Sequence, residues 1–386
     1  MEQVYFDHAA TTPPREEVVQ AMLPYLRGKW GNPSSLHHTG SRALEGVERA
    51  REHLASLIGA QPEEIVFTGS GTEADNHALI GSWVANRNRR NHLVTSSIEH
   101  HAIHHTAAFL ETLGARVTYV SPDEFGLVHS EVVRAALTDE TVLVSIMHAN
   151  NEVGTIQSIG EIGAICRERG VLFHTDAVQT VGHLPIAVND LDVDLLSLSA
   201  HKFYGPKGVG ALYLRRGSTV ASFIHGGGQE LGRRASTENV AGIVGLGEAA
   251  RLARHDMAAE SAHVSSLRNM VLREVKARIP HVHLSGHPTQ RLPNNASFCV
   301  SGVEGEGLVL DLDAAGFAVS SGSACSSGAL EPSQVLLAMG IAPLIARGSV
   351  RLSFGRTNTS AEVERFLELI PAIVDRLRKL SPVAAC

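Results

Sequence analysis

Cysteine is scarce in this chain. Only Cys166, Cys299, Cys325 and Cys386 occur in 386 residues, and no two form a CxxC pair. So sparse a set excludes a disulfide framework and a zinc knuckle, and it suits a reducing compartment, the cytoplasm. A basic surplus is lacking too: Lys+Arg 33 against Asp+Glu 40 leaves a net charge of −7, with no electrostatic footprint for broad nucleic-acid or membrane binding. No apolar run approaches the length of a membrane span. The start, with Glu2 ahead of a strand-like run from Val4 to Phe6, lacks the basic-then-apolar layout of a signal peptide. Long polar or repetitive tracts are also missing. With 44% hydrophobic and 19% charged residues, the chain reads as globular, and its length argues for more than one domain and a large core.

From Glu64 onward, short β-branched runs alternate with longer amphipathic stretches. That is the signature of a parallel sheet covered by helices, an α/β fold. The runs are "EIVFT", "NHLVTS", "RVTYV", "TVLVSIMH", "VLFHTD", "VDLLSLS" and "VGALYL"; helices are expected at Thr72 to Asn86, His100 to Leu113, Ser130 to Leu137 and Ile159 to Arg169. Gly170 stands at the expected C′ position of the last. Beyond residue 255 the pattern changes to a long helix over Ala258 to Ile279 and isolated strands "NNASFCV" and "SVRLSF". The expected organisation is a large α/β domain over residues 16–255 and a smaller α+β domain from residues 1–15 and 256–386. The latter carries a small-residue loop, "SSGSACSSG" at residues 320 to 328, of a composition that suits mobility.

Lys202, in "HKFYGPKG", follows an apolar strand, so its amine falls at a strand end where α/β folds bind ligands. An unprotonated lysine there can form a Schiff base. Standing alone it reads equally as a solvated loop lysine. Another strand ends in "FHTDAVQ", placing Asp176 and Gln179 in a comparable position. A strand-end carboxylate facing a reactive lysine suits pyridoxal phosphate: the aspartate keeps the pyridine nitrogen protonated, and Gln179 is placed to donate to the ring's phenolic oxygen. By itself Asp176 also fits an Asx turn or a helix cap. Earlier, "VFTGSGTEADN" runs from a strand through Gly69, Ser70 and Gly71 into a helix near Thr72, the layout of a phosphate cradle or of a simple turn.

His100, His101, His104 and His105 make two i, i+4 pairs on an expected helix. The spacing suits a zinc or nickel ion and hence a metallohydrolase, though no HExxH order accompanies it. His100 alternatively stacks on a pyridine ring and serves as an acid or base. Cys325 lies between Gly322 and Gly328, where an exposed thiolate can act as nucleophile, whereas Cys166 and Cys299 sit in apolar patterns and read as inert core. In "SVRLSF", Arg351 points opposite to Val350, Leu352 and Phe354. Its guanidinium fork matches the carboxylate of an amino acid, or else Arg351 is a surface strand residue.

With "YFDHAATTP", "GNPSS", "GSGTEADN", "SIEHHAI", "MHANNEVG", "FHTDAVQ", "SAHKFYGPKGVGALY", "HGGGQE", "SSGSACSSG" and "VRLSFGR" in order, the sequence resembles NifS/IscS-like cysteine desulfurases. These are class V pyridoxal-phosphate enzymes of fold type I, and the likeness runs over essentially the whole chain. It implies conversion of L-cysteine to L-alanine, with the sulfur left as a persulfide on Cys325 for an acceptor protein serving iron–sulfur clusters, thio-cofactors or thiolated tRNA. It implies that Lys202 carries the cofactor, Asp176 pairs with the ring nitrogen, Gln179 meets the phenolic oxygen and His100 stacks. The phosphate would fall to Gly71, Thr72, Ser199 and His201, with Thr237 reaching over from the other subunit of a homodimer. Asn151 and Arg351 would hold the substrate carboxylate. No metal is implied. Selenocysteine lyases and aminotransferases are related alternatives, and the ending "SPVAAC" is shorter than the tail with which the best-known members dock their scaffold.

Overall fold

The structure, a computed structural model, describes residues 3–322 and 332–380. Strand β1 (Val4–Tyr5) precedes two helices, α1 (Glu16–Arg27) and α2 (His38–Ile58). Strands and helices then alternate through β2 (Ile65–Thr68), α3 (Gly71–Asn86), β3 (His92–Ser96), α4 (His101–Thr112), β4 (Arg116–Val120), α5 (Ser130–Ala136), β5 (Thr141–Ser145), α6 (Ile159–Arg169) and β6 (Leu172–Asp176). Two strands follow without an intervening α-helix, β7 (Leu195–Ser199) and β8 (Gly210–Leu214). The expected helices at 72, 130 and 159 are all present to within a residue or two, and α6 ends at Gly170 in the left-handed conformation.

The main sheet has the order β2-β8-β7-β6-β5-β3-β4. It is mainly parallel, as the alternation of strands and helices requires. The exception is β8, antiparallel to both neighbours: the segment from Ala200 to Val209 is too short for a crossover of a dozen residues or more, so the chain turns back. Successive residues serve opposite faces. Val94, Val144 and Leu196 enter one apolar layer, while Leu93, Leu143 and Leu195 enter the other with Trp83. Burial on both faces explains why these strands read as continuous apolar runs.

Helix α7 (Val240–Arg278) is 39 residues long and begins eighteen residues before the expected Ala258. Its first half is rich in glycine, which intrinsic propensity disfavours. Packing overrides this: a Cβ on Gly247 would meet Ala50 Cα at 2.4 Å, so only glycine permits the close crossing with α2. The helix runs straight through the position at which composition suggested a domain boundary.

The remaining elements are β9 (Val282–Leu284), β10 (Asn295–Val300), α8 (Gly305–Ala314), β11 (Phe317–Ala318), α9 (Gln334–Ala338), α10 (Pro343–Ala346), β12 (Ser349–Ser353) and α11 (Ser360–Leu380). An antiparallel sheet β12-β10-β9 packs with α7, α8 and α11 on a separate core that includes Phe298, Val350 and Phe366. Val4 and Phe6 join this core, and β1 pairs with β11 in parallel. The first residues of the chain are thereby laid from the small sheet toward the open ends of β6 and β7. Among the described residues, no helix is long and apolar enough to cross a membrane.

Candidate active site

A cavity of about 460 Å³ opens beyond the C-terminal ends of the parallel strands, where such sheets bind ligands. Lys202 closes a single helical turn directly after β7. Its Nζ donates to the backbone carbonyls of Ala9 at 2.6 Å and Ala10 at 3.0 Å. Those carbonyls are fixed in turn, because Ala9 N–H donates to Ser353 Oγ at 2.8 Å and Thr12 N–H to the His201 carbonyl at 2.8 Å. The N-terminal segment is therefore a wall of the site, a role that periodicity and propensity give no means of reading.

Asp176 ends β6 and accepts the Val178 N–H at 2.9 Å. Burial pushes its carboxyl up to about 6, against the lowering effects of that N–H and of Lys202. Such a carboxylate has most to gain from a cation placed in the cavity. Gln179 lines the same cavity and donates from Nε2 to the Ala9 carbonyl at 3.0 Å. His100 caps α4, its Nδ1 accepting the Ala102 N–H at 3.1 Å. Burial, reinforced by the Lys202 charge, lowers its pKa to about 4, so the imidazole is neutral and presents a flat uncharged ring.

The start of α3 supplies the cradle. Ser70 caps it through the Glu73 N–H at 3.1 Å, and a Cβ on Gly71 would meet Val178 Cγ2 at 2.8 Å and Ser199 Cβ at 3.3 Å. Only glycine leaves room there for an anion to approach the backbone N–H groups of the first turn. Gly71, Thr72, Ser199 and His201 all line this cavity. His201 is held by Thr11 Oγ1 at 3.1 Å and is lowered to about 4, first by burial and then by Lys202 and Lys207. Amine, carboxylate, flat imidazole and anion cradle fit a phosphorylated pyridine aldehyde.

Arg351 is 4% exposed, so the surface alternative for this residue does not hold. Its guanidinium donates to the Asn151 carbonyl at 3.0 Å and to Asp7 Oδ1 at 2.8 Å, and Nε has no hydrogen-bond partner among the described residues. Asn151, Arg351 and Asp7 share the cavity with Lys202. Thr237 does not: within one chain it lines a different hollow, with Glu230 and Arg234. Cys325 and Cys386, and most of the loop expected to be mobile, lie outside the described residues. Cys166 and Cys299 are buried, with thiols pushed up to about 12 and about 11 by burial. The rings of His101 and His105 meet at 5.1 Å and His104 stacks on Tyr119 at 5.7 Å. Among the described residues no three His, Cys, Asp or Glu side chains gather as a metal site requires.

Sequence reasoning missed Asp7, Ala9 and Ala10, although the "FDHAATTP" run contains them, and it missed Asp75, which lines the cavity from α3.

The sequence profile of the class-V aminotransferases matches residues 4–366. A relative named cysteine desulfurase IscS from Clostridium botulinum is 51% identical over 383 residues, covering 99% of this chain and 96% of its own. One of the same name from Methanosarcina thermophila is 52% identical, covering 98% and 94%. Among solved structures, a NifS-like protein superposes with a TM-score of 0.92 at 38% identity, covering 97% of this chain and 100% of its own. SspA in complex with cysteine gives 0.81 at 36% identity, covering 92% and 100%.

Proposed function

The chain belongs to the class-V aminotransferase family, and from that premise we propose that it is a cysteine desulfurase dependent on pyridoxal phosphate. The observation that carries this is the meeting of Lys202, Asp176 and Arg351 in one cavity whose far wall is the Gly71 cradle. When bound, pyridoxal phosphate supplies an electron sink that makes the Cα proton of an amino acid removable. Lys202 would hold the cofactor covalently, and its amine, oriented by the Ala9 and Ala10 carbonyls, would take that proton. Arg351 and Asn151 hold the substrate carboxylate, the guanidinium being oriented by Asp7. The Cys325 thiolate takes the substrate sulfur as a persulfide, the C–S bond breaks, and protons returned to the three-carbon skeleton complete L-alanine. His100, neutral and adjacent, is the acid–base group for the leaving side.

The acceptor of the persulfide is a protein of iron–sulfur, thio-cofactor or tRNA-thiolation chemistry. The enzyme itself is a cytoplasmic homodimer that binds neither nucleic acid nor membrane. Two features support the dimer: Thr237 lies away from its own chain's cavity, and Trp30 and Leu36 stand 72% and 103% exposed. The test is direct. Purified protein given L-cysteine should release alanine in step with persulfide, and no alanine release from the cofactor-loaded protein would overturn the assignment.

Two substitutions probe the cavity. Asp176→Asn should lower kcat by about 10²-fold or more, because a neutral amide cannot hold the ring-nitrogen proton; an unchanged kcat would remove Asp176 from the ring. Arg351→Lys should raise KM about tenfold while kcat changes less, since a point charge replaces a two-pronged donor; steady-state kinetics with L-cysteine checks the split.

A further inference from the structure

Asp75 lines the cavity beside Asp176, and Glu99, which borders the neighbouring hollow, is close enough for its charge and theirs to act on one another. Of these three carboxyl groups the proposed chemistry uses only Asp176. Asp75 stands one turn beyond Thr72 on α3, and Glu99 immediately precedes His100. They are 1% and 5% exposed. Glu99 Oε1 accepts from Ser96 Oγ at 2.6 Å and from the Met147 N–H at 3.0 Å. Glu99 Oε2 and Asp75 Oδ1, both shielded from solvent, have no hydrogen-bond partner among the described residues.

Counter-charge is short. The Nε2 of His174 stands 3.7 Å from Asp75 Oδ1. That ring is bonded to Ser145 Oγ at 2.8 Å and Ser197 Oγ at 3.0 Å, and burial lowers its pKa to about 3, so it carries no charge. His100 and His148 are lowered to about 4 and are neutral as well. Lys202 remains, and its charge acts on Asp176. Three buried carboxylates facing one ammonium cannot all be ionised, because each unpaired charge loses its hydration and repels the others. Burial and Asp176 together raise both neighbours, Glu99 to about 8 and Asp75 well above the ordinary range.

We propose that Asp75 and Glu99 are held as neutral carboxylic acids flanking Asp176, so that the site presents a single anion, on Asp176, to the ring nitrogen of the cofactor. The protons occupy the two orphaned oxygens. Their purpose follows from like-charge coupling: a second carboxylate beside Asp176 would raise its pKa and keep it protonated, and a protonated Asp176 is no anion for the ring. Asp75 and Glu99 are thus positioning residues acting through Asp176. This purpose rests on the pairing of Asp176 with the ring; the protonation of the two acids does not.

The experiment is infrared spectroscopy of the full-length cofactor-loaded enzyme, reading the C=O stretch of protonated carboxylic acids, which carboxylates lack. At neutral pH, Asp75→Asn and Glu99→Gln should each remove one component of that band. In the wild type the Glu99 component should titrate away around its pKa of about 8. Since each amide is neutral and of the same shape, cofactor affinity should fall less than about threefold in either variant, against about tenfold or more in Asp176→Asn. Absence of a protonated-acid band in the wild type at neutral pH would overturn the proposal even if neither variant folded. Loss of cofactor affinity in Asp75→Asn or Glu99→Gln as large as in Asp176→Asn would overturn it as well. An intact band together with unchanged affinity in Asp176→Asn would instead refute the ring pairing, and with it the purpose assigned to the two acids.

Discussion

Lys202→Ala should lose turnover of L-cysteine by about 10³-fold or more, because the proposed mechanism gives one amine the work of both covalent anchor and Cα base. Among the described residues no other lysine lines the cavity, and the neutral imidazole of His100 cannot form the covalent link. The fold should survive, since the amine donates to backbone carbonyls of the N-terminal segment at the rim of the cavity and is not part of the apolar core. Those carbonyls then lose a donor, and a modest drop in Tm accompanies the loss of activity. The check is alanine release from the variant freshly loaded with pyridoxal phosphate; a rate near that of the wild type would dismiss Lys202.

Cys325→Ser should be as severe for sulfur transfer and nearly silent for cofactor binding. A serine hydroxyl stays protonated at neutral pH and is a poor nucleophile toward sulfur, so persulfide formation should fall by about 10³-fold or more. L-cysteine should still perturb the visible absorbance of the bound cofactor, because Lys202, Asp176 and Arg351 are intact. Cys166→Ala and Cys299→Ala should keep activity, their thiols being buried with pKa values raised to about 12 and about 11. Mass spectrometry after incubation with L-cysteine discriminates: added sulfur on Cys166 or Cys386 that persists in Cys325→Ser would exclude Cys325 as nucleophile.

What could be read from sequence followed from local physics. A buried parallel strand must be apolar along its length, so β3, β5, β6 and β7 announced themselves, and Lys202 and Asp176 were legible as polar residues placed where such runs stop. Gly71 was legible for the same reason, at a turn into a helix. What escaped depends on contacts distant in sequence. The glycine-rich first half of α7 looks like a poor helix until Ala50 is seen to press on Gly247. Ala9 and Ala10 offer only carbonyl oxygens, and nothing in an alanine marks that a lysine 192 or 193 residues away will bond to them. Asp75 and Glu99 passed as ordinary polar positions on helix and loop because burial is a property of the packed molecule. Thr237 was named from resemblance alone, and within one chain it stands apart from the cavity.

The pairing of β1 with β11 also sets an order of events during translation. Val4 aligns with Phe317 and Ala9 is seated by Ser353, so residues 4–9 find their places only after the chain has been made as far as residue 353. Contacts of such sequence separation form late. A nascent chain can complete the large sheet, Lys202 and Asp176 included, while its N-terminal wall still hangs loose. Competence for chemistry therefore waits for β12, and a polypeptide aborted before that strand retains the strand-end floor without a seat for the segment that orients its amine.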